Sequence, residues 1–257
     1  MIKSFLTFAD GSETYRGAAQ RLALQAQETG WFDTVHALHC DNLRQLSEPW
    51  FEQHQKFLLS HSRGFGYWFW KPFLVYEMLR RLADGSILVY ADAGFEISAY
   101  GQKRFDDYVE MALQHELLAT HIHLPVKNWT KGDLIDYFSV RDNPSIVNAN
   151  QVAGGLIVVK KNDLTLNFFR YWSLVAADQN YHLIDDSPSV SANLDGFVEH
   201  RHDQAIFTLL LKTMNFGHSI SYLHETVHPE LFAAGQFNRA FPFVCLRNRT
   251  GQRQIQP

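Results

Sequence analysis

Residues 87–94, Ile87-Leu88-Val89-Tyr90-Ala91-Asp92-Ala93-Gly94, decide how this chain is read. The apolar run leaves no polar face, so it is predicted as a strand covered on both sides, near the middle of a sheet. It breaks at Asp92 and Gly94. In α/β sheets, ligands bind outside the carboxyl ends of the strands. A carboxylate placed there can hold a ribose hydroxyl, a sugar hydroxyl or a metal ion, and a glycine lets a ligand approach the backbone. The competing reading is an aspartate that caps its own turn.

Working outward, Phe5–Ala9 reads as a buried strand ended by Asp10-Gly11. A helix is expected from Glu13 to Glu28, with Gly30 as its C-terminal cap, and a second strand over Thr34–Leu38. Strand, helix, strand at this spacing opens a nucleotide-binding α/β fold. Asn42–Ser60 reads as mostly helical and 62–66 as a loop. Pro72 is placed for the first turn of a helix that stops at Asp84-Gly85. On the far side, Lys103–Leu118 is predicted helical, Ile122–Leu124 a short strand, and 128–150 a loop-rich insertion. Gly155–Val159 is a second central strand. Asp163 is expected to cap a helix over 164–176. Residues 178–196 read as irregular, and a last helix runs from Asp203 to Met214. With no repeat, low-complexity tract or linker, the simplest organisation is a single domain, 1–257, of mostly parallel, doubly wound α/β type.

The chain has 257 residues, 46% hydrophobic and 19% charged, which is a globular composition. A net charge of −4 provides no general basic field for nucleic acid, so an anionic substrate would need a local basic site. Cys40 and Cys245 are far apart and in no metal spacing, which points to reduced thiols. No signal peptide or membrane span is evident in the sequence. The expectation is a cytoplasmic protein without a transmembrane segment. The basic end, Arg247 to Arg253, leaves open peripheral contact with the inner face of a membrane.

Four groups of residues can carry chemistry. Asp92 is the first. The second is Asp203-Gln204, which opens an apolar helix after Glu199-His200-Arg201-His202. Asp203 is explained as a first-turn acid favoured by the helix dipole, but the crowd of ionisable neighbours is not. That crowd is either a solvated face or the wall of a polar cleft. The third group is Arg63 and Lys71, which flank glycines and aromatics and suit a phosphate; snorkelling stems are the alternative. The fourth is the histidine set. His121/His123 and His200/His202 share faces if extended, and His224/His228 share one if helical, but none forms a strong metal signature.

Several segments together resemble nucleotide-sugar glycosyltransferases of the GT-A fold, over roughly residues 4–230. Ile87–Gly94 resembles their strand and Asp-x-Asp motif. Val152–Lys161 resembles the acceptor-side loop and strand. His202–Ile206 resembles the Asp-Gln helix start of the retaining galactosyl- and glucosyltransferases. Gly66–Pro72 resembles a segment of bacterial surface-polysaccharide transferases. The resemblance implies a nucleotide-binding part at about 1–100 and an acceptor-binding part at about 101–257. It implies a UDP- or GDP-sugar donor and a glycan or lipid-linked acceptor. Asp10 and Gly11 would meet the base, and Asp92 the ribose, donor sugar or metal. Arg63 and Lys71 would take the diphosphate, and Gly154 and Gly155 would admit the acceptor. Asp203, with Gln204 beside it and Glu199 as second candidate, would work at the reacting carbon or as base. In such enzymes Mn²⁺ or Mg²⁺ sits on the diphosphate. Here Gly94 replaces the second acid, which leaves metal use open, with His224 or His228 as further ligands. Two rivals stand beside this reading. One is a metal-dependent hydrolase built on His121, His123, His200, His202 and Asp203. The other is a non-catalytic nucleotide- or sugar-binding module.

Overall fold

The computed structural model describes residues 1–214, 220–223 and 238–255. In chain order the elements are β1 (Lys3–Phe8), α1 (Glu13–Thr29), β2 (Thr34–Leu38), α2 (Cys40–Leu46), α3 (Glu48–Ser60), α4 (Gly64–Tyr67), α5 (Trp70–Leu79), β3 (Ile87–Ala91), β4 (Phe95–Ile97), α6 (Gln102–His115), β5 (Leu117–Pro125), α7 (Val126–Trp129), α8 (Gly132–Tyr137), α9 (Pro144–Val147), β6 (Asn150–Lys160), α10 (Asp163–Ala177), α11 (His202–Thr213), β7 (Ile220–Leu223) and β8 (Phe243–Cys245).

Six strands form one sheet in the order β2-β1-β3-β6-β5-β7. β1 pairs in parallel with β2 and β3, and β5 in parallel with β7. β6 runs antiparallel to both its neighbours. The other five strands therefore share one direction, and the fold is the expected α/β class with a mostly parallel sheet. β4 and β8 make a separate two-stranded ribbon.

The period-two alternation of the strands builds a core on each face. Leu6, Phe8, Leu88, Tyr90, Ile157 and Val159 point to a core shared with α3, α5, α10 and α11. Phe5, Ile87, Val89, Ala91, Leu118 and Val158 point to the opposite core, under α1 and α6. β3 is buried at all five positions, as its apolar run requires.

Local chemistry sets several boundaries differently from the sequence reading. Asn162, not Asp163, caps α10: its side chain accepts from the Thr165 amide at 2.9 Å. Ser47 splits the 42–60 stretch in two, because it caps α3. α6 stops at His115, where Glu116 takes a left-handed φ of 61°, and β5 begins at Leu117, well before Ile122. The 128–150 stretch holds three short helices rather than open loop. Before α5, Gly64, Phe65, Gly66, Tyr67 and Trp68 all have positive φ, so α4 is wound left-handed. Such a run costs about 1–2 kcal/mol per non-glycine residue, and dense aromatic packing around it offsets that cost. Trp70 lies 3.9 Å from Phe8 and its Nε1 donates to the Gly64 carbonyl.

The last described stretch, 246–255, lies against the turn after β3 and against α1. Arg21, from α1, is fully buried and paired with buried Glu96 at 3.4 Å. Its guanidinium also donates to the carbonyls of Ala93, Phe95, Asn248 and Thr250. Glu96 in turn accepts from the Gln254 and Ile255 amides.

Candidate active site

Leu88, Tyr90 and Asp92 follow the same period, so the last of them emerges at the carboxyl end of the sheet on the α5 side. Tyr90 is buried and donates its hydroxyl to Asp92 Oδ1 at 2.5 Å. Its phenol is pushed well above its ordinary pKa, by burial first and by Asp92 second, so it stays a donor. Asp203 enters from the first turn of α11, and Lys71 from the first turn of α5.

The three charges meet. Lys71 Nζ lies 2.7 Å from Asp203 Oδ2 and 3.3 Å from Asp92 Oδ1, and it donates to the Gly154 carbonyl at 3.2 Å. It also stands 5.4 Å from the Tyr90 ring. Lys71 and Asp203 are buried, while the Asp92 side chain is 37% exposed. Burial works against the Lys71 charge, but Asp203 and Asp92 together hold it above the usual lysine range. For Asp203, burial outweighs the attraction of Lys71 and raises its pKa to about 6. The site is thus a buried ammonium holding two carboxylates, one of them open to solvent.

Gly154 and Gly155 make room for these acids. A Cβ on Gly154 would lie 3.4 Å from Asp203 Oδ2, and one on Gly155 only 3.0 Å from Asp92 Oδ2. Gln204 does not face Lys71. Its amide donates to Gln151, which itself donates to the Trp129 carbonyl and to Thr130.

The other expected residues fall into separate networks. Arg63 does not join Lys71: it pairs with Asp186 at 3.2 Å and with Glu199 at 3.4 Å. Glu199 also pairs with Arg201 at 3.2 Å. Asp186 and Glu199 border a polar cavity of about 220 Å³ that Lys131, Asp185, Ser187 and Ser189 also line. Asp10 is tied to Arg16 at 3.1 Å and accepts from the Gly11 and Cys40 amides. Beside it, at the carboxyl ends of β1 and β2, a cavity of about 200 Å³ is lined by Glu13, Arg16, Gln20 and His39.

The histidines have other work. His200 bonds the Leu183 carbonyl at 3.0 Å and His202 the Ile184 carbonyl at 2.8 Å, so both fasten the 183–184 loop. Burial keeps both below the usual imidazole range. His121 stacks on Tyr222. Among the described residues no three His, Cys, Asp or Glu side chains converge as metal ligands. His224 and His228 lie outside the described residues. The Lys71 ammonium pairs with both Asp92 and Asp203, so the two acids are held together without a metal between them. The hydrolase reading finds no converging ligand set among the described residues: Asp203 pairs with Lys71, and His200 and His202 bond backbone carbonyls.

Sequence reasoning missed Tyr90, Gln151 and the arrangement of Arg201 and Arg247. Tyr90 was legible in principle, since it sits two residues before Asp92 on one strand. Arg247 was visible only as part of a basic end. In the fold its neighbours separate: Arg253 pairs with Glu28 at 2.6 Å and Arg249 lies 6.0 Å from the Tyr15 ring.

No family model and no curated protein matches this chain. Solved structures similar to it include glycosyltransferases. Mouse xyloside xylosyltransferase 1 shares 14% identity, over 94% of this chain and 95% of that one, with a TM-score of 0.49. A glycosyltransferase involved in glycosylating the major capsid of PBCV-1 shares 8%, over 95% and 92%, also at 0.49. The galactosyltransferase LgtC, solved with donor and acceptor sugar analogues, shares 13%, over 99% and 84%, at 0.48. Among the described residues, no helix is long and apolar enough to cross a membrane.

Proposed function

We propose that this chain is a GT-A-type glycosyltransferase that moves a sugar from a UDP- or GDP-sugar to a glycan or lipid-linked acceptor. The observation that carries the reading is the meeting of Asp92 and Asp203 around buried Lys71, at the carboxyl end of the central strands. Sugar transfer from an activated donor needs hydroxyl acceptors held rigidly at the anomeric carbon, with water kept out. Two carboxylates fixed by one buried ammonium, on rigid elements, meet the first need.

In this reading the cavity beside Asp10 receives the base, with Gly11 open above it. Asp92, through its exposed oxygen, accepts from a ribose or donor-sugar hydroxyl. Asp203 faces the reacting carbon or takes the acceptor proton. A carboxyl group with a pKa of about 6 is ionised at neutral pH yet basic enough to accept a proton. Gln204 positions the Gln151–Thr130 wall. Lys71 acts by positioning: it orients both acids instead of binding the diphosphate.

The test is a thermal-shift screen with UDP, GDP, CDP, CMP and dTDP, each with and without Mn²⁺. A ligand that binds only the folded state raises Tm. A shift with one nucleotide, lost in Asp92→Ala, is the expected result. Breakdown of the matching nucleotide-sugar, abolished in Asp203→Asn, then separates an enzyme from a binding module. No shift with any nucleotide overturns the reading.

A further inference from the structure

The turn after Asp92 carries an unusual contact. Gly94 lies under the backbone of Arg247: a Cβ at residue 94 would stand 3.2 Å from the Arg247 Cα. The Asn248 amide donates to the Gly94 carbonyl at 2.9 Å. The space that a second acid of an Asp-x-Asp pair would need is therefore filled by a strand of backbone that delivers an arginine. Arg247 itself has a left-handed φ of 51°, rare for a side chain with a Cβ, and strain of this kind collects at functional positions. Its side chain is exposed and has no ion-pair partner among the described residues.

Arg201 stands two residues before Asp203, at the entry to α11. It stacks 4.5 Å from the Trp129 ring, and its Nε is buried with no hydrogen-bond partner among the described residues. Its guanidinium is pulled below its ordinary pKa, first by burial and then by the nearby charges of Arg247 and Arg63, against the pull of Glu199. Glu199, 3.2 Å from Arg201 and 3.4 Å from Arg63, offsets part of this repulsion, but the Arg201 Nε and the Arg247 side chain have no acid partner among the described residues, which leaves them open to a further anion. Guanidinium groups match phosphate oxygens with two parallel bonds, so a dianionic diphosphate fits this pair.

We propose that Arg201, two residues before Asp203, and Arg247, packed on Gly94 next to Asp92, form a metal-independent site for the diphosphate of the nucleotide donor beside the Lys71–Asp92–Asp203 centre. The ligand's identity rests on the transferase reading above; the anion site rests on the two arginines. Gly94 is then the counterpart of Arg247: residue 94 has no side chain so that the arginine can stand there.

The experiment is calorimetric titration of the whole chain with inorganic pyrophosphate, UDP and GDP, in EDTA and again in Mn²⁺. Variants are Arg247→Asn, since asparagine tolerates the left-handed backbone, Arg201→Gln, and Arg249→Asn as a control for general charge. The expected result is binding of pyrophosphate and of one nucleotide in EDTA. That binding weakens about tenfold or more in Arg247→Asn and in Arg201→Gln, and is unchanged in Arg249→Asn. Melting curves check that each variant is folded. Diphosphate binding that requires Mn²⁺, or that survives Arg247→Asn, overturns this inference and leaves the transferase reading standing. No binding by any of the three, in EDTA or Mn²⁺, overturns both.

Discussion

Lys71 Nζ lies 2.7 Å from Asp203 Oδ2, and neither side chain is more than 6% exposed. Removing one partner of a buried ion pair leaves the other uncompensated, at a cost of about 3–5 kcal/mol. Lys71→Met is expected to lose stability on this scale in urea denaturation at pH 8. At pH 5 the loss shrinks, because the stranded Asp203 takes a proton. An equal loss at both values would mean that Asp203 is not the group left exposed to the penalty.

The pKa of Asp203 gives a second test. Burial raises it to about 6, above the ordinary carboxylate value. An acid raised in this way stabilises the fold fully below about pH 4 and loses that contribution as pH passes about 6. Asp203→Asn should therefore flatten the stability profile between pH 4 and 7, with the wild type's own decline up to about 3 kcal/mol. Transfer runs the opposite way, since it needs the ionised group: its rate should fall as pH drops through about 6. A rate profile flat down to pH 4.5 would contradict the role given to Asp203.

Gly94→Asp rebuilds the missing acid of an Asp-x-Asp pair. The new Cβ meets the Arg247 Cα at 3.2 Å, so the backbone must give way. Overpacking of this kind costs about 1–3 kcal/mol. The variant should be less stable in chemical denaturation and should gain no Mn²⁺ affinity by calorimetry. Tight Mn²⁺ binding by the variant would show that residues 246–248 can move aside cheaply.

Much of this arrangement was legible in the sequence. The apolar run 87–90 required a covered strand, and the strand put Asp92 at the ligand end of the sheet. The apolar spacing of Ala205, Leu209 and Leu210 required a helix, which placed Asp203 in its first turn. What sequence could not supply was pairing between distant segments. In sequence Lys71 reads equally as a phosphate ligand or a snorkelling stem, and its pairing with two acids is hidden because they lie 21 and 132 positions away. The histidine pairs invited a metal reading because period-two spacing shows a shared face and not the backbone carbonyls that His200 and His202 meet. Asp163 lost the cap to Asn162 for a local reason: an asparagine one residue earlier reaches the Thr165 amide, and Thr165 bonds back.

Arg21 offers a test far from the candidate centre. Its side chain is 1% exposed and serves Glu96 and four backbone carbonyls. Arg21→Met should cost about 3–5 kcal/mol and free the 246–255 segment. Limited proteolysis checks this: cleavage after Arg247 or Arg249 should become fast in the variant and stay slow in the wild type.

The same arginine has a consequence for how the chain is made. α1 is made more than two hundred residues before the 246–255 segment, yet two of the carbonyls that receive Arg21 belong to residues 248 and 250. Its acid partner, Glu96, collects amides from residues 254 and 255. The opening strand-helix-strand unit therefore carries a buried charge whose hydrogen bonds are incomplete until translation has passed residue 255. Domains generally fold as they emerge, but this one is wired to wait. A nascent chain stalled before residue 246 should hold its first hundred residues in a loose state open to chaperones, and synthesis of residues 246–255 should close it.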